Sequence, residues 1–425
     1  MCIRLILQAA VSFRAASKAI HIAFSNFPAI KNQAIPGYKS VRRWLTRIGL
    51  YKLNCLKEQG TDWALIIDNS IQLGVHKCLV ILGLRLSKLP KRALTFEDMD
   101  VLAIEIHENI DAKSICESLK KAQKRVGQVR MVCADDGPDL RRGLNMFCKE
   151  YNIGRVLDVT HKIGTFLKKF LEKDAPWGAF TAAAAEAKRK MQQTPAAHLA
   201  PPNQRTKSRF LNIEILACWG SNVAIALKNP KHPDKELLEK YCGWVRRYET
   251  LIEQLSQMVL ISQKVRQHIR EHGLSKNTGD QIEKILEDVI DPLAVNMLAC
   301  EYAGKLIDFC HEQSAVVPTG QVWVGSSEII ESLFGKLKNL EQDQSKSGFT
   351  SLVLGAAACV GKIDADTIHA AMREVKTADV DSWAAEQIGP TLLSRRKKAF
   401  GSRHRKKKRK KFTRELAGVS LEKAA

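Results

Sequence analysis

The feature that most constrains the fold is the order of short apolar segments between residues 59 and 162. Each has the length and composition of a strand and is bounded by turn residues or by a helix cap. Strands are predicted at Trp63–Asp68, Val75–Leu84, Val101–His107, Val129–Ala134 and Arg155–Val159. Helices are predicted from Asp111 to Arg125 and from Leu140 to Tyr151. The first three strands can form an antiparallel meander, and right-handed crossovers would make the last two parallel to the first.

This α/β order is that of the RNase H-like mixed sheet, in which the first and fourth strands are neighbours. Asp68 ends the first strand and Asp135 follows the fourth, so both carboxylates are expected at one edge. An acid after an apolar strand is costly unless it is paired or metal-bound, although Asp68 as a strand-end acid facing water is the plainer alternative. Asp135 and Asp136 precede a glycine, as in an ordinary turn, and Asp135 is preferred because it lies closer to the strand end.

A third acid is expected on a helix that begins near Ser327, the predicted N-cap. Glu328 and Glu331 lie one turn apart on it and compete for the position, and Glu331 is preferred. Lys338 follows two turns later on a nearby face, where it could meet a DNA backbone. The three acids would suit two Mg²⁺ (or Mn²⁺) ions, which act in phosphodiester chemistry about 3.5–4 Å apart.

The end of the fifth strand contains a second polar cluster formed by Asp158, His161 and Lys162. One interpretation places these side chains next to the metal ligands or against DNA. The alternative is a helix cap followed by ordinary polar residues.

Charge indicates a polyanionic partner. The chain has 67 Lys and Arg against 45 Asp and Glu, a formal net charge of +22. From Arg395 to Arg414 there are 13 basic residues and no acid. We expect this tail to contact DNA phosphates, with a solubility tail or an RNA contact as alternatives. The predicted contacts are Arg405, Lys406, Lys407, Lys408 and Arg409.

The first 58 residues are predicted to form a helical, helix-turn-helix-like DNA-binding region. Its second helix begins near Ser40 and has an apolar face, with Arg42, Arg43 and Arg47 off that face. These arginines could reach bases or phosphates, although a basic amphipathic helix is also common without DNA.

The rest of the chain divides by composition. The predicted regions are residues 59–162, the first part of the catalytic core; 163–320, an all-helical insertion; 321–375, the last part of the core; and 376–425, a C-terminal extension with the basic tail. The insertion should contain one long amphipathic helix through Leu237–Val259. The 11 cysteines include no Cys-x-x-Cys pair, which favours reduced thiols and gives no support to a zinc site. We expect neither a signal peptide nor a membrane span.

Four segments together resemble the DDE-type transposases of bacterial insertion sequences. They are Ile66–Ser70, Ala134–Leu140, Asp158–Lys162 and Ser327–Lys336. The glutamate-x6-lysine spacing of Glu331 and Lys338 matches one large transposase group, although Val324 and Ser327 stand where that group has a tyrosine and an arginine.

The resemblance implies metal-dependent cleavage at the ends of a mobile DNA element and transfer of the free 3′-hydroxyl to target DNA. It further implies Asp68, Asp135 and Glu331 as catalytic metal ligands, double-stranded DNA as partner, a homo-oligomer on DNA and a bacterial cytoplasmic, nucleoid-associated location. Two alternatives stay open: an RNase H-like metal-dependent nuclease, and a non-catalytic DNA-binding protein derived from a transposase.

Overall fold

The computed structural model describes residues 1–26, 34–73, 76–204, 210, 213–289, 297–341, 348–391 and 394–400. Within these residues the strands are β1 (Gly60–Leu73), β2 (His76–Arg85), β3 (Asp100–His107), β4 (Gly127–Ala134) and β5 (Gly154–Leu157). They form one mixed sheet of order β3-β2-β1-β4-β5. β2 is antiparallel to β1 and β3, whereas β4 is parallel to β1 and β5. The predicted strand order and directions are confirmed, and they are consistent with an RNase H-like core.

Helices precede, connect and follow the strands. The first group is α1 (Cys2–Ala9), α2 (Phe13–Ser25), α3 (Tyr38–Asn54), α4 (Ala112–Val126) and α5 (Pro138–Tyr151). The block after β5 contains α6 (Val159–Leu171), α7 (Ala175–Met191), α8 (Ile213–Lys228), α9 (Lys235–Cys242), α10 (Glu249–His272), α11 (Thr278–Glu287) and α12 (Met297–Ala315). The last group is α13 (Glu328–Glu341), α14 (Leu354–Cys359), α15 (Ala365–Glu374) and α16 (Thr377–Gln387). None of the described helices has the length and apolarity needed to cross a membrane.

Two predicted elements need correction. The single helix through Leu237–Val259 is wrong, because a 3-10 segment at Gly243–Tyr248 separates α9 from α10. Gly243 has low helix propensity, which favours a break in the α-helix at this point. The apolar stripe continues through the 3-10 segment. The fifth strand ends at Leu157 rather than Val159, since the Asp158 side chain accepts a hydrogen bond from Thr160 N and caps α6.

The sheet is covered on both faces, and the alternation of β1 side chains decides where Asp68 lies. Trp63, Leu65 and Ile67 are buried in the core formed with residues of α4 and α5. Ala64 and Ile66 belong to the opposite core, which includes residues of α3, α13 and α14. Asp68 continues this second series, and α13 packs against β1 on the same face. Because side chains alternate between the two faces of a strand, Asp68 lies on the face of the sheet that α13 covers.

The packing of α3 does not support an exposed recognition helix. α3 packs against α2, α14 and α15, and an added Cβ at Gly49 would lie only 1.9 Å from the Leu354 carbonyl oxygen. Arg47 donates hydrogen bonds to the carbonyl oxygens of Met372 and Val375, near the end of α15. The Arg47 guanidinium therefore joins α3 to the end of α15 through two part-buried hydrogen bonds, and its contact with DNA stays a prediction. The predicted boundary at residue 58 also falls between α3 and the two later helices, α14 and α15, against which α3 packs.

The segment that follows the helical insertion is fastened to the sheet before α13 begins. Leu274 lies two residues after the end of α10. Trp323 pairs with it through backbone hydrogen bonds of 2.7 and 2.8 Å. Its indole also lies against the start of β5, where an added Cβ at Gly154 would meet the ring at 2.1 Å. Val159 N then donates to Gly325 O at 3.1 Å. These contacts fix the position from which α13 starts.

Candidate active site

A pocket of about 750 Å³ opens where β1, β4, α6, α10 and α13 meet. Its lining contains two sets of charged side chains, an acidic part and a basic part, and Glu271 and Glu328 also line it. The acidic part includes Asp68, Asp135 and Glu331, beside His161. The basic part includes Arg92, Arg266, Arg270 and Lys338. We call these parts the acidic wall and the basic wall.

The register of the sheet brings the two aspartates together. Ile66 of β1 is paired with Cys133 of β4, so Asp68 and Asp135 each lie two residues further along neighbouring parallel strands. Asp68 is only 8% exposed, and its Oδ1 accepts a hydrogen bond from Asn69 N at 2.6 Å. Asp135 Oδ1 accepts one from Gly137 N at 3.1 Å. The fold thus holds two carboxylates at the same sheet edge, as the sequence predicts.

Asp135 and its neighbour Asp136 differ in what their carboxylates contact. Asp136 forms ion pairs with Arg155 at 2.7 Å and with Arg141 at 3.8 Å. Asp135 lines the pocket, whereas Asp136 is not among the lining residues. This placement favours Asp135 as the site residue.

The two glutamates of α13 have opposite electrostatic surroundings. Glu328 accepts a hydrogen bond from Thr160 Oγ1 at 2.9 Å and lies 3.8 Å from Arg266 and 3.6 Å from Arg270. Glu331 opens onto the pocket, but partial loss of hydration raises its pKa, and the charges of Asp158, Glu328 and Asp135 raise it further. Two cations thus compensate Glu328, whereas Glu331 has three carboxylates and the imidazole of His161 around it.

Asp158 and His161 connect α6 to this acidic wall. Asp158 is 1% exposed, and its carboxylate accepts hydrogen bonds from Thr160 N at 3.0 Å and from Ser327 Oγ at 2.8 Å. Burial raises the pKa of Asp158. His161 Nε2 is 3.8 Å from Asp135 Oδ2. One ligand atom from each of Asp158, His161 and Glu331 lies within 4.8 Å of the others, so His161 is close both to Asp135 and to Glu331.

The hydroxyl of Ser327 has a role that the sequence prediction missed. It was expected to cap α13, but it donates to the buried Asp158, while Ser326 Oγ accepts from Glu328 N at 3.2 Å. The hydrogen bond between Ser327 and Asp158 joins the start of α13 to the start of α6. A Ser-Ser pair before a helix signals a cap but does not show which hydroxyl caps it.

The other predicted contacts are distributed more widely. Lys338 lines the pocket. Lys162 lies elsewhere, with its ammonium over the rings of Phe166 at 5.2 Å and Phe309 at 5.5 Å. Arg42 and Arg43 lie on α3, which contributes no lining residue, and Arg43 is exposed there. The predicted tail contacts Arg405, Lys406, Lys407, Lys408 and Arg409 lie outside the described residues.

The acidic wall has the donor set that hard divalent cations prefer. Asp68 is held on β1, Asp135 follows β4 directly and Glu331 lies on a packed helix, so rigid elements position the carboxylates. The raised pKa of Glu331 has like charges among its causes, and a cation there would reverse that effect. The residues present could therefore hold a divalent cation.

Comparison with known proteins gives likenesses among solved structures alone. No protein-family model matches this sequence, and no curated protein is significantly similar to it. The chain is similar to the solved structure titled "Drosophila P element transposase strand transfer complex", with a TM-score of 0.36 and 10% identity over 86% of this chain and 96% of that chain. A likeness at this level says nothing about activity, so the chemistry has to be inferred from the pocket itself.

Proposed function

We propose that this protein is a transposase that binds the ends of a mobile DNA element and catalyses metal-dependent strand cleavage and strand transfer. The supporting observation is that Asp68 and Asp135, from adjacent parallel strands, and Glu331, from α13, line one pocket. In this proposal the three carboxylates hold two Mg²⁺ or Mn²⁺ ions. Double-stranded DNA is the partner, and the active form is a homo-oligomer on DNA.

Each residue of the acidic wall has a defined part in the proposal. The bound cations would supply activation of the attacking oxygen and neutralisation of charge on the reacting phosphate. Asp68 and Asp135 would provide oxygens at the sheet edge, and Glu331 would provide the third carboxylate from α13. His161 lies against Asp135 at 3.8 Å and limits the room in which that carboxylate can rotate. Asp158 orients both helices through Thr160 and Ser327.

The basic wall favours a nucleic acid over a small phosphate ester as substrate. Arg92, Arg266, Arg270 and Lys338 come from a β2–β3 connection, from the insertion and from α13, so basic side chains line the pocket from several elements. Of these, Arg92 is paired with Asp98 at 2.7 Å. The net charge of +22 for the whole chain fits the same partner. The insertion thus contributes directly to the proposed DNA-binding surface.

The decisive experiment is a cleavage assay on duplex DNA that contains the sequences flanking the gene, with Mg²⁺ or Mn²⁺. Wild type should cut at defined positions and join the new 3′-hydroxyl to a target plasmid. Glu331→Gln keeps the size of the side chain and should abolish both steps. Asp139→Asn is the matched control, because Asp139 is an exposed acid paired with Arg142 and does not line the pocket.

Each other result assigns a different function. Cleavage of any duplex or of RNA–DNA hybrids without joining would assign an RNase H-like nuclease. Binding of the flanking DNA without cleavage in either metal would assign a non-catalytic DNA-binding protein. Undiminished cleavage by Glu331→Gln would remove Glu331 from the site.

A further inference from the structure

The basic wall contains two arginines that are presented together by one helix of the insertion. Arg266 and Arg270 are four residues apart on α10, so they share a face and lie about 6 Å apart along the axis. Ile269 between them is 2% exposed and anchors this part of α10 in the core. Both guanidinium groups line the same pocket as the acids of the sheet.

The end of α10 that bears these arginines is rigidly attached to the core. α10 packs against α6, and it ends at Gly273, whose φ of 71° suits glycine. The next residue, Leu274, forms the bridge with Trp323 that fixes the entry to α13. Arg270, in the last turn of α10, is therefore held at a set position relative to Glu328 and Glu331.

The acidic partners of the two arginines leave donor capacity unused. Glu328 lies 3.8 Å from Arg266 and 3.6 Å from Arg270, and Glu214 lies 3.8 Å from Arg266. These distances exceed the roughly 2.7–2.9 Å of a charge-assisted hydrogen bond. The Arg270 side chain is also 56% exposed, against 34% for Arg266. Glu328 thus orients the guanidinium groups without saturating their N–H donors.

We infer that Arg266 and Arg270 form a phosphate clamp that holds the backbone of a nucleic-acid strand opposite the acidic wall, with Glu328 as its positioning residue. Planar guanidinium groups suit phosphate oxygens because they can donate two parallel hydrogen bonds. Arg270 makes the principal contact, since it is the more exposed of the two. The inference rests on the proposed function for the identity of the strand, but the clamp binds phosphate whether or not the pocket is catalytic.

The test measures DNA binding separately from cleavage. Anisotropy of a fluorescent DNA duplex is followed with the full-length chain over a range of salt, once in EDTA and once in Ca²⁺. The variants are Arg270→Ala, the double variant Arg266→Ala/Arg270→Ala, and Arg270→Lys. Lys264→Ala is the control, because Lys264 is exposed on the same helix and does not line the pocket.

Loss of one phosphate contact should reduce the slope of log affinity against log salt by about 0.9. At about 0.1 M salt, Arg270→Ala should bind roughly 5- to 10-fold more weakly, and the double variant should lose about twice as much slope. Arg270→Lys should recover the slope, and Lys264→Ala should match wild type. Identical slopes for all variants, or an equal loss in Lys264→Ala, would overturn the clamp.

The two proposals fail separately. If wild type does not cleave DNA but the arginine variants show a smaller slope of log affinity against log salt, the clamp stands and the transposase proposal fails. If Glu331→Gln alone abolishes cleavage and the arginine variants bind and cleave like wild type, the transposase stands and the clamp fails.

Discussion

The two walls of the pocket differ in how the fold treats charge. On the acidic wall, Asp68, Asp135 and Glu331 line the same pocket, and the pKa of Glu331 is raised by partial loss of hydration and by neighbouring carboxylates. On the basic wall, Arg266 and Arg270 face Glu328, so opposite charges alternate. A wall of unlike charges is compatible with a structural role, whereas converging like charges cost stability unless a cation joins them.

Helix α13 shows the difference at the scale of a single turn. Glu328 and Glu331 are three residues apart, yet one faces arginines and the other faces carboxylates. Both are glutamates in the first turn of the same helix, so only their tertiary surroundings distinguish them. The comparison therefore favours Glu331 over Glu328 as the proposed metal ligand, and that role stays a prediction.

The largest expected effect comes from the aspartates of the acidic wall. Asp68→Asn and Asp135→Asn each remove one charged ligand while keeping the side-chain volume. Each should lower metal-dependent cleavage by about 10³-fold or more, because the cations are worth several kcal/mol to the transition state. Asp136→Asn is the control from the same turn, since Asp136 pairs with Arg155 and Arg141. An equal loss in Asp136→Asn would mean that the turn, and not the pocket-lining carboxylate, matters.

A smaller effect is expected on the thermal stability of the Glu331→Gln variant. Because the pKa of Glu331 is raised in the folded chain, ionising this group costs the folded state stability at neutral pH, and the cost disappears as pH falls through the raised pKa. Because the Glu331 side chain is exposed, solvent screens this repulsion, so without divalent metal Glu331→Gln should raise the Tm near pH 7 by at most about a degree, and the gain should vanish in acid. Thermal unfolding by circular dichroism checks this. Glu328→Gln should show no gain, because it loses favourable partners.

A Glu331→Gln variant that is no more stable than wild type at neutral pH would contradict the electrostatic contrast between the two glutamates. The comparison would also weaken if Glu328→Gln gained as much stability as Glu331→Gln.

The sheet and its acids were accessible from sequence because local patterns determine them. Strand-length apolar runs and capped helices occur in an order that allows few topologies, and Asp68 and Asp135 follow two of those runs directly. Strand register then requires the two carboxylates to lie at one edge. The structure confirms the strand order, and the catalytic role of these acids stays a prediction.

The features that sequence missed depend on contacts between distant segments. Nothing local distinguishes Arg47, which binds carbonyls of the α15 region, from Arg43, which is exposed. Arg266 and Arg270 resemble ordinary basic residues of an amphipathic helix until the insertion folds back onto the sheet. Lys162 was grouped with His161 by adjacency, but successive helical residues point in different directions, and its ammonium lies over aromatic rings.

The most direct test of the central claim is the binding of Mn²⁺ to the full-length protein, followed by isothermal titration calorimetry and by electron paramagnetic resonance. Wild type, Glu331→Gln and Glu328→Gln are compared at the same pH and salt, without DNA. We expect wild type and Glu328→Gln to bind Mn²⁺ with similar affinity, and Glu331→Gln to lose at least one bound ion. Undiminished Mn²⁺ binding by Glu331→Gln, or loss of binding in Glu328→Gln alone, would contradict the assignment of the acidic wall as the metal site.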